Sequence, residues 1–547
     1  MALGKTSKLA IGAVLLGIVI ALGIVWAKKR IRNLIQAEIA HFNDTKPYTF
    51  TFDNLDFSLL KSSAKFQNLT ITPDSVSMTG DVLDSFDHPH VFVQSLQMEG
   101  LDVWAILVRK HLILKDIAIN GIEILYQKNA DTKTGPSQPA KNSTPKTILL
   151  NKLKEIKLGR FSVDDFSFTL TGVNKDTLAS YTLKEFEVDG VQLQRQSNVP
   201  GLFNINTDDL SLRLSNQRLG LAQKEYDLQL GNVQFNAKKG LLKMSDVSYA
   251  PMLSKEDLGS KYRYNTTIME SRIPKVSIYG LAIEKLFFNR GVHFDSVILE
   301  NPEFMVYKDM SKPWNKNKRP KLLSELLRDI EDRFHFKSII LKQASLDYTE
   351  KTENQGKLLN VPMRNLDLTM SKIEQTKNGS ALDISMGCTV FENLSLALAL
   401  SFPNPNSSDD FYFKGSTGST TFQSFNPVLL PTSGIKFEKG DLMGMTFNGH
   451  ANASRAEGSL TMLYHNLKAT VLKKNKTEKN KTISFLANQA VRSSNPSRSG
   501  KTMVGAIDFD RVKYKGFGNF LFKSIESGII NSVYPFGNRK RKKQRHH

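Results

Sequence analysis

The stretch Asp84-Ser85-Phe86-Asp87-His88-Pro89-His90 puts two carboxylates and two imidazoles within seven residues, donor types that hold a divalent metal. A metal site needs a second group of ligands at defined spacing. None is present, so the stretch reads as a polar loop. Ser499-Gly500-Lys501-Thr502 has the ending of a phosphate-binding loop, in which backbone N–H groups and a lysine cradle phosphates. The glycine such a loop requires five residues before Gly500 is Asn495, and no strand pattern leads into it. The single cysteine, Cys388, sits in the alternating run LDISMGCTVF, where a thiol reads as buried strand material. One cysteine also excludes an intrachain disulfide and a Cys-based metal site. No His-Glu-x-x-His pair, Gly-x-Ser-x-Gly elbow or pair of catalytic carboxylates stands out. The expectation is a chain with no catalytic residue, no metal site and no cofactor.

What remains is an architecture that must do its work by surface. The chain has 547 residues, 40% hydrophobic and 23% charged, enough for a sizeable core and against wholesale disorder. Its formal charge of +21 favours acidic partners: nucleic acid, anionic lipid headgroups or acidic glycolipids. Part of the excess is local, in KKNKTEKNK from Lys473 and in the ending NRKRKKQRHH, and such runs read as solvated loops and tails. No zinc-finger spacing, RRM signature or helix-turn-helix pattern accompanies them, so nucleic acid is not the expected partner. A single cysteine suits a cytosolic or a disulfide-poor bacterial envelope protein.

Residues 9–27, LAIGAVLLGIVIALGIVWA, contain no charge, about the length that crosses a hydrocarbon core of ~30 Å. Leu9 opens the span, Trp26 lies at its far edge, and Lys28, Lys29, Arg30 and Arg32 come next as interfacial anchors. Val25-Trp26-Ala27 matches a cleavage site only loosely, so the segment reads as an uncleaved anchor. Counted literally, the flanking charges place the bulk of the chain in the cytoplasm, a weak rule for a long domain. Ile31, Leu34, Ile35 and Ile39 continue the pattern as an amphipathic helix on the membrane surface.

After Lys46-Pro47 the period changes to two, the signature of strands with one apolar face. Phe50 and Phe52, then Leu55, Phe57 and Leu59, fall on one side each; so do Phe161 with Val163, then Phe166, Phe168 and Leu170. Leu210, Leu212 and Leu214 alternate, as do Leu394, Leu396, Leu398, Leu400 and Phe402. The pattern predicts antiparallel sheet. Helices are expected at 102–110, 147–155, from Pro320 (Leu322, Leu326, Leu327 and Ile330 sharing a face) and within KGFGNFLFKSIESGIINSV near the end. The Pro, Ser and Thr-rich stretch from Lys128 predicts an exposed loop.

The pattern is also written twice. Residues 48–73 align without gaps to 226–251, an offset of 178, with Asn54/Asn232, Phe57/Phe235 and Pro73/Pro251 in register. Gly100/Gly280, Leu114/Phe294, Ile119/Leu299 and Glu123/Glu303 share an offset of 180, and EIKLGRFSVDDF resembles SIILKQASLDY at 183. A nearly constant offset points to duplication, and a repeated unit of sheet extends one apolar surface. That surface either packs against a second sheet as a dry sandwich or forms a trough finished by a ligand. Periodicity leaves both open.

The membrane helix, the run FDNLDFSLLKSSAKFQNLTI and the run VQSLQMEGLDVWAILVRKHLILKDIAINGIEILYQK together resemble the AsmA-like proteins of Gram-negative envelopes, including the DUF748 and TamB-related branches. The blocks from Phe413 and from Asn488 resemble that family's carboxy-terminal region. The resemblance implies a mainly β fold: a membrane helix, then an elongated, repeated, curved antiparallel groove with few short helices. The implied organisation is an anchor over 1–42, β-rich repeat units over 43–225 and 226–410, a carboxy-terminal block over 411–535 and a basic tail over 536–547. It implies a single pass through the inner membrane with the bulk in the periplasm, against the literal charge count, and phospholipid moved toward the outer membrane or support for outer-membrane assembly. Phe50, Phe52, Phe166, Phe168, Leu394, Leu396, Leu398 and Leu400 are the expected groove lining. The second expectation is a non-enzymatic scaffold that binds envelope proteins through sheet edges and basic tails.

Overall fold

The computed structural model describes residues 37, 40, 43, 48–58, 62–73, 88–100, 109–127, 154–172, 177–195, 203–206, 210–220, 225–282, 292–331, 334–352, 358–372, 381–405, 407–433, 435–471 and 492–533. The chain divides into two compact units, 1–238 and 239–547. The expected span at 9–27, its anchors Leu9, Trp26, Lys28, Lys29 and Arg30, and the basic tail lie outside the described residues, as do residues 102–108 and 147–153 of the helices expected at 102–110 and 147–155. Among those described, no helix is long and apolar enough to cross a membrane.

The first unit is a sheet built from β1 (Tyr48–Thr51), β2 (Asn54–Ser58), β3 (Ser63–Pro73), β4 (His88–Glu99), β5 (His111–Gln127), β6 (Glu155–Thr171), β7 (Thr177–Arg195), β8 (Phe203–Asn206), β9 (Ser211–Gly220) and β10 (Tyr226–Asn236). β1 and β2 are one interrupted strand, pairing with successive halves of β3. The order then runs β3-β4-β5-β6-β7, with β8 and β9 side by side along β7 and β10 beyond β9. Neighbours are antiparallel except β5 and β6, which are parallel. This corrects the expectation of a purely antiparallel sheet. A parallel pair needs a crossover of a dozen or more residues, and the chain between β5 and β6, read from sequence as a loop and a short helix, has that length.

The second unit repeats the plan. Its strands are β11 (Leu241–Pro251), β12 (Thr267–Tyr279), β13 (Val292–His293), β14 (Ser296–Glu300), β15 (Glu303–Asp309), β16 (Phe334–His335), β17 (Ser338–Lys351), β18 (Leu358–Lys372), β19 (Leu382–Val390) and β20 (Leu394–Phe402). They continue with β21 (Phe411–Thr417), β22 (Thr420–Thr421), β23 (Ile435–Ala451), β24 (Arg455–Val471) and β25 (Val504–Asp510). β11 pairs with β12, and β12 with β14 and then β15, again one interrupted strand. β14 and β15 are parallel to β17 across a second long crossover. From β17 the strands run antiparallel to β25, with β21 and β22 both on β23.

The duplication extends to hydrogen-bond register. Ala64 faces Met98 and Leu242 faces Ile278; Ile117 faces Met98 and Val297 faces Ile278. Ile117 then faces Phe161, and Val297 faces Ile339. It also extends to backbone conformation. Ser62/Gly240, Asn68/Asp246, Gly100/Gly280, Gly121/Asn301 and Asp165/Gln343 are matched pairs, every member of which has positive φ. Left-handed conformation is uncommon for residues other than glycine, with Asn and Asp the usual exceptions, so five matched pairs are hard to reach except by descent of one unit from the other. The last pair sets β6 onto β17 at an offset of 178, correcting the 183 read from sequence similarity.

Among the described residues four α-helices accompany the second unit: α1 (Lys255–Lys261), α2 (Leu323–Glu331), α3 (Asn426–Ser433) and α4 (Phe517–Val533). α2 and α4 fall where the sequence predicts helices; α1 and α3 are short and lie outside the predicted ones. α1 is capped at its start by the Ser254 side chain, which accepts from the Asp257 N–H, and at its end Lys312 donates to the Gly259 and Tyr262 carbonyls. α4 lies on β24 and β25. It fits because Gly528 meets Gly505: a Cβ on Gly505 would stand 2.1 Å from the Gly528 carbonyl oxygen. Its inward Ser524 and Ser532 hydroxyls donate back to helix carbonyls. Ser527 accepts the Asp508 N–H at 3.1 Å and Asn531 donates to the Ala506 carbonyl at 2.7 Å, so α4 side chains satisfy backbone groups of β25.

Gly505→Ala is therefore expected to force α4 outward and destabilise the second unit by about 1–3 kcal/mol. Gly387→Ala, whose Cβ would meet nothing within 4 Å, is expected to stay within about 0.5 kcal/mol of the parent. Urea denaturation of both variants, monitored by circular dichroism, measures the difference.

Candidate functional site

Extended strands send successive side chains to opposite faces, so apolar residues three apart should face opposite ways. Here they do not. Phe66 and Leu69 of β3 belong to one cluster with Val93 and Leu96 of β4. Between Phe66 and Leu69 lies left-handed Asn68 (φ 51°), which resets the alternation. The same step recurs on β5 at Gly121, between Ile119 and Ile122, on β6 at Asp165, between Val163 and Phe166, and on β9 at Asn216, between Leu214 and Gln217. The apolar spacing therefore runs 2, 3, 2, 3.

Register lines these residues into rows across the sheet. One row is Phe66, Leu96, Ile119, Val163, Phe186, Leu214 and Val233, one residue from each of β3, β4, β5, β6, β7, β9 and β10. Another is Ala64, Met98, Ile117, Phe161, Val188, Leu212 and Phe235. A third is Ile71, Val91, Ile124, Phe168, Tyr181, Leu219 and Leu228. Ring contacts join the strands: Phe161 to Phe186 at 5.8 Å and Phe166 to Tyr181 at 6.0 Å. No second sheet lies on these rows among the described residues of this unit, and much of the apolar face is only half-buried.

The second unit has a row of its own, from Leu242 and Ile278 through Val297, Ile339, Met370, Ile384 and Leu400 to Phe413. Their character changes along the way. Val297 and Ile339 are half-buried, whereas Leu400, Phe413, Phe447, Leu460, Ile507 and Phe520 form a sealed core with α4. Phe413 and Phe447 lie over Gly449 and Gly415 of the facing strands, where a Cβ would stand 2.4 Å from either ring. Tyr464, 0% exposed, has its hydroxyl pushed up to about 12 by burial and donates to the Arg492 carbonyl.

The expected lining residues divide accordingly. Phe50 faces Ile71, and Phe52 meets Phe66 edge-on at 5.6 Å, both beside the cluster of the first unit. Phe166 and Phe168 lie on the half-buried rows of β6. Leu394, Leu396, Leu398 and Leu400 share one face of β20, but Leu394 and Leu400 are in the sealed core, with Leu398 against it and Leu396 beside Cys388. Four of the eight residues thus belong to the first unit and four to the second, where Leu394 and Leu400 are buried in the sealed core. The expected lining leaves out Ile119, Val163, Phe186 and Leu341, although the phase change between Val163 and Phe166 already marked β6.

The other residues singled out by sequence are dispersed. His88 and His90 open β4, whereas Asp84 and Asp87 lie outside the described residues; no group of three or more His, Cys, Asp or Glu able to hold a metal occurs among those described. Ser499 and Gly500 belong to a turn closed by the Gly500 N–H on the Ser497 carbonyl, and Lys501 and Thr502 lead from it to β25. Burial pushes the Cys388 thiol up, away from reactivity.

The opposite face of the first unit is charged. Arg160 lies 3.3 Å from Glu187 and 3.5 Å from Asp189, Arg213 pairs with both, and Lys184 reaches Asp165 at 2.6 Å. These pairs are largely exposed and add little stability, but they keep that face wet. Asp164 faces Glu185 directly across the ladder; burial, then Glu185, Asp165 and Glu187, raise its carboxyl above the ordinary value. One polar residue enters the apolar side: Gln217, 6% exposed, faces Leu230, and its amide nitrogen lacks a hydrogen-bond partner.

Comparison with protein-family models finds none that matches the chain, and a search of curated proteins returns no match. The site therefore has to be read from its own chemistry.

Phe168→Ser is expected to cost under about 1.5 kcal/mol because its surroundings are already open, whereas Phe413→Ser in the sealed core is expected to cost about 3–5 kcal/mol. Guanidinium melts of the two variants make the comparison. A raised folded pKa means that the contribution of Asp164 is favourable when it is protonated and is lost as pH rises through that value. Asp164→Asn should therefore be more stable than the parent at pH 7, with the difference vanishing below the ordinary aspartate value of 3.8. Melts at both pH values test the sign.

Proposed function

We propose that the chain binds acyl-chain lipid, specifically phospholipid, on its one-sided apolar sheet and lets it move along the rows. The observation that carries this reading is the continuity of those rows, with no second sheet over them among the described residues of the first unit. Each methylene laid against such a surface recovers about 0.8 kcal/mol. Neighbouring rows offer closely similar side chains, so a chain displaced from one to the next loses little. The half-buried state of Phe166, Phe168 and Ile119 leaves room for that exchange.

In this reading residues 9–27 hold the chain in a membrane, and the body lies in a periplasm and passes phospholipid toward an outer membrane, as the sequence resemblance to AsmA-like envelope proteins implies. The scaffold reading has less support. A sheet edge recruits a partner strand through unsatisfied backbone groups, and at β25 α4 supplies partners to the Asp508 N–H and the Ala506 carbonyl.

Native mass spectrometry of the gently solubilised full-length protein, with lipid extraction, tests the proposal. Phospholipid is expected to accompany the protein, and Phe166→Asp/Phe168→Asp is expected to retain several-fold less while Ser162→Asp, on the charged face, retains as much. A lipid-free parent would overturn the reading.

A further inference from the structure

The lipid reading leaves open where a headgroup rests, and a headgroup site presupposes that reading. β15 places Phe304, Val306 and Lys308 at alternate positions, and Phe304 packs into the apolar cluster with Leu341 and Met363. Lys308 therefore lies on the apolar face, at its margin. Tyr307, between them, points the other way and is 4% exposed, against Gly259 of α1. In register, Val306 faces Tyr348 and Lys308 faces Glu350.

Two further loops converge on this margin. The Lys308 ammonium stands 5.8 Å from the centre of the Trp314 ring, and the Lys515 ammonium stands 4.8 Å from the same ring. Tyr514 lies 6.2 Å from Trp314, and Arg511 ties the two loops by donating to the Pro320 carbonyl at 2.7 Å. Among the described residues, no carboxylate forms an ion pair with Lys308, Lys318 or Lys515. Glu350, beside Lys308, instead accepts the Tyr348 hydroxyl at 2.7 Å. Burial holds the Lys308 ammonium below the ordinary lysine range; Glu350 opposes this, and Lys318 and Lys515 add to it. The group is a set of cations short of an anion, at the edge of an apolar surface and around rings suited to a boundary between wet and dry.

We propose that Lys308 and Lys515, which both stand over the Trp314 ring, receive the phosphate of a phospholipid whose acyl chains lie on the adjoining apolar rows. The two chemistries meet on one strand: Phe304 and Val306 meet the chains, and Lys308 two residues on meets the charge. A free phosphate would use the cations alone and gain nothing from the rows.

Full-length protein in detergent is titrated by native mass spectrometry with phosphatidylglycerol and with diacylglycerol of the same acyl chains. The parent is expected to prefer the phospholipid by roughly tenfold or more. Lys308→Gln/Lys515→Gln should lose that preference and still take up diacylglycerol. Lys308→Arg/Lys515→Arg, which keeps the charge, should retain the preference and thereby separates loss of charge from loss of fold. Equal uptake of both lipids by the parent would overturn the headgroup site while leaving the apolar-face reading in place. Displacement of the phospholipid by soluble glycerol phosphate at comparable concentration would make this a free-phosphate site and overturn the lipid assignment. Retention of neither lipid would remove the lipid-binding reading and this proposal with it.

Discussion

A β-strand holds its apolar side chains on one face through a spacing of three only if a residue between them leaves the extended conformation. Asn68, Gly121, Asp165 and Asn216 do this in the first unit, and Asp246, Asn301 and Gln343 in the second. Without those residues Phe66 and Leu69, or Val163 and Phe166, would sit on opposite faces, each face half apolar and half polar. With them, one face gathers the aromatic and aliphatic side chains while Arg160, Glu187, Asp189 and Arg213 occupy the other. The one-sidedness on which the proposed function depends is thus a property of a few backbone torsions.

That apolar face is treated differently along the chain. Toward β24 and β25 it is closed by α4, which fits tightly through Gly505 and Gly528 and offers its serines and Asn531 to the strand. Phe402, Phe411, Phe413 and Phe520 pack there at 1–2% exposure. On the strands of the repeat no comparable core forms among the described residues: the buried clusters are small and most members of the rows are half-buried. One end of the second unit therefore has a conventional core that fixes the fold, and the repeated strands carry surface that a ligand would complete.

The β character, the duplication and two helices were legible in the sequence because they rest on local pattern. Period two, the Tyr226 copy of the Tyr48 segment and the apolar spacing of the terminal helix all survive in the fold. The parallel pairing of β5 with β6 was not legible, because direction depends on where a long crossover returns and strand composition carries no record of it. The misplacement of β17 has a sharper cause. A 2, 3 spacing repeats every five residues, so a slip of five superimposes the pattern on itself, and 183 differs from 178 by that amount. Only register and the left-handed Asp165 and Gln343 distinguish the two. The sealed surroundings of Leu394 and Leu400 were hidden for a related reason: alternation marks a face as apolar and does not say what covers it.

The central claim is that lipid occupies one face of the sheet and not the other. Photocrosslinking in cells tests it most directly, with a photoreactive amino acid placed singly at Ile119, Phe186 and Leu341 on the apolar face and at Ser162, Thr182 and Lys342 as opposite-face controls. Lipid adducts are expected at the first three positions in both units, with background at the controls. Adducts equal on the two faces, or absent from the apolar rows, would contradict it.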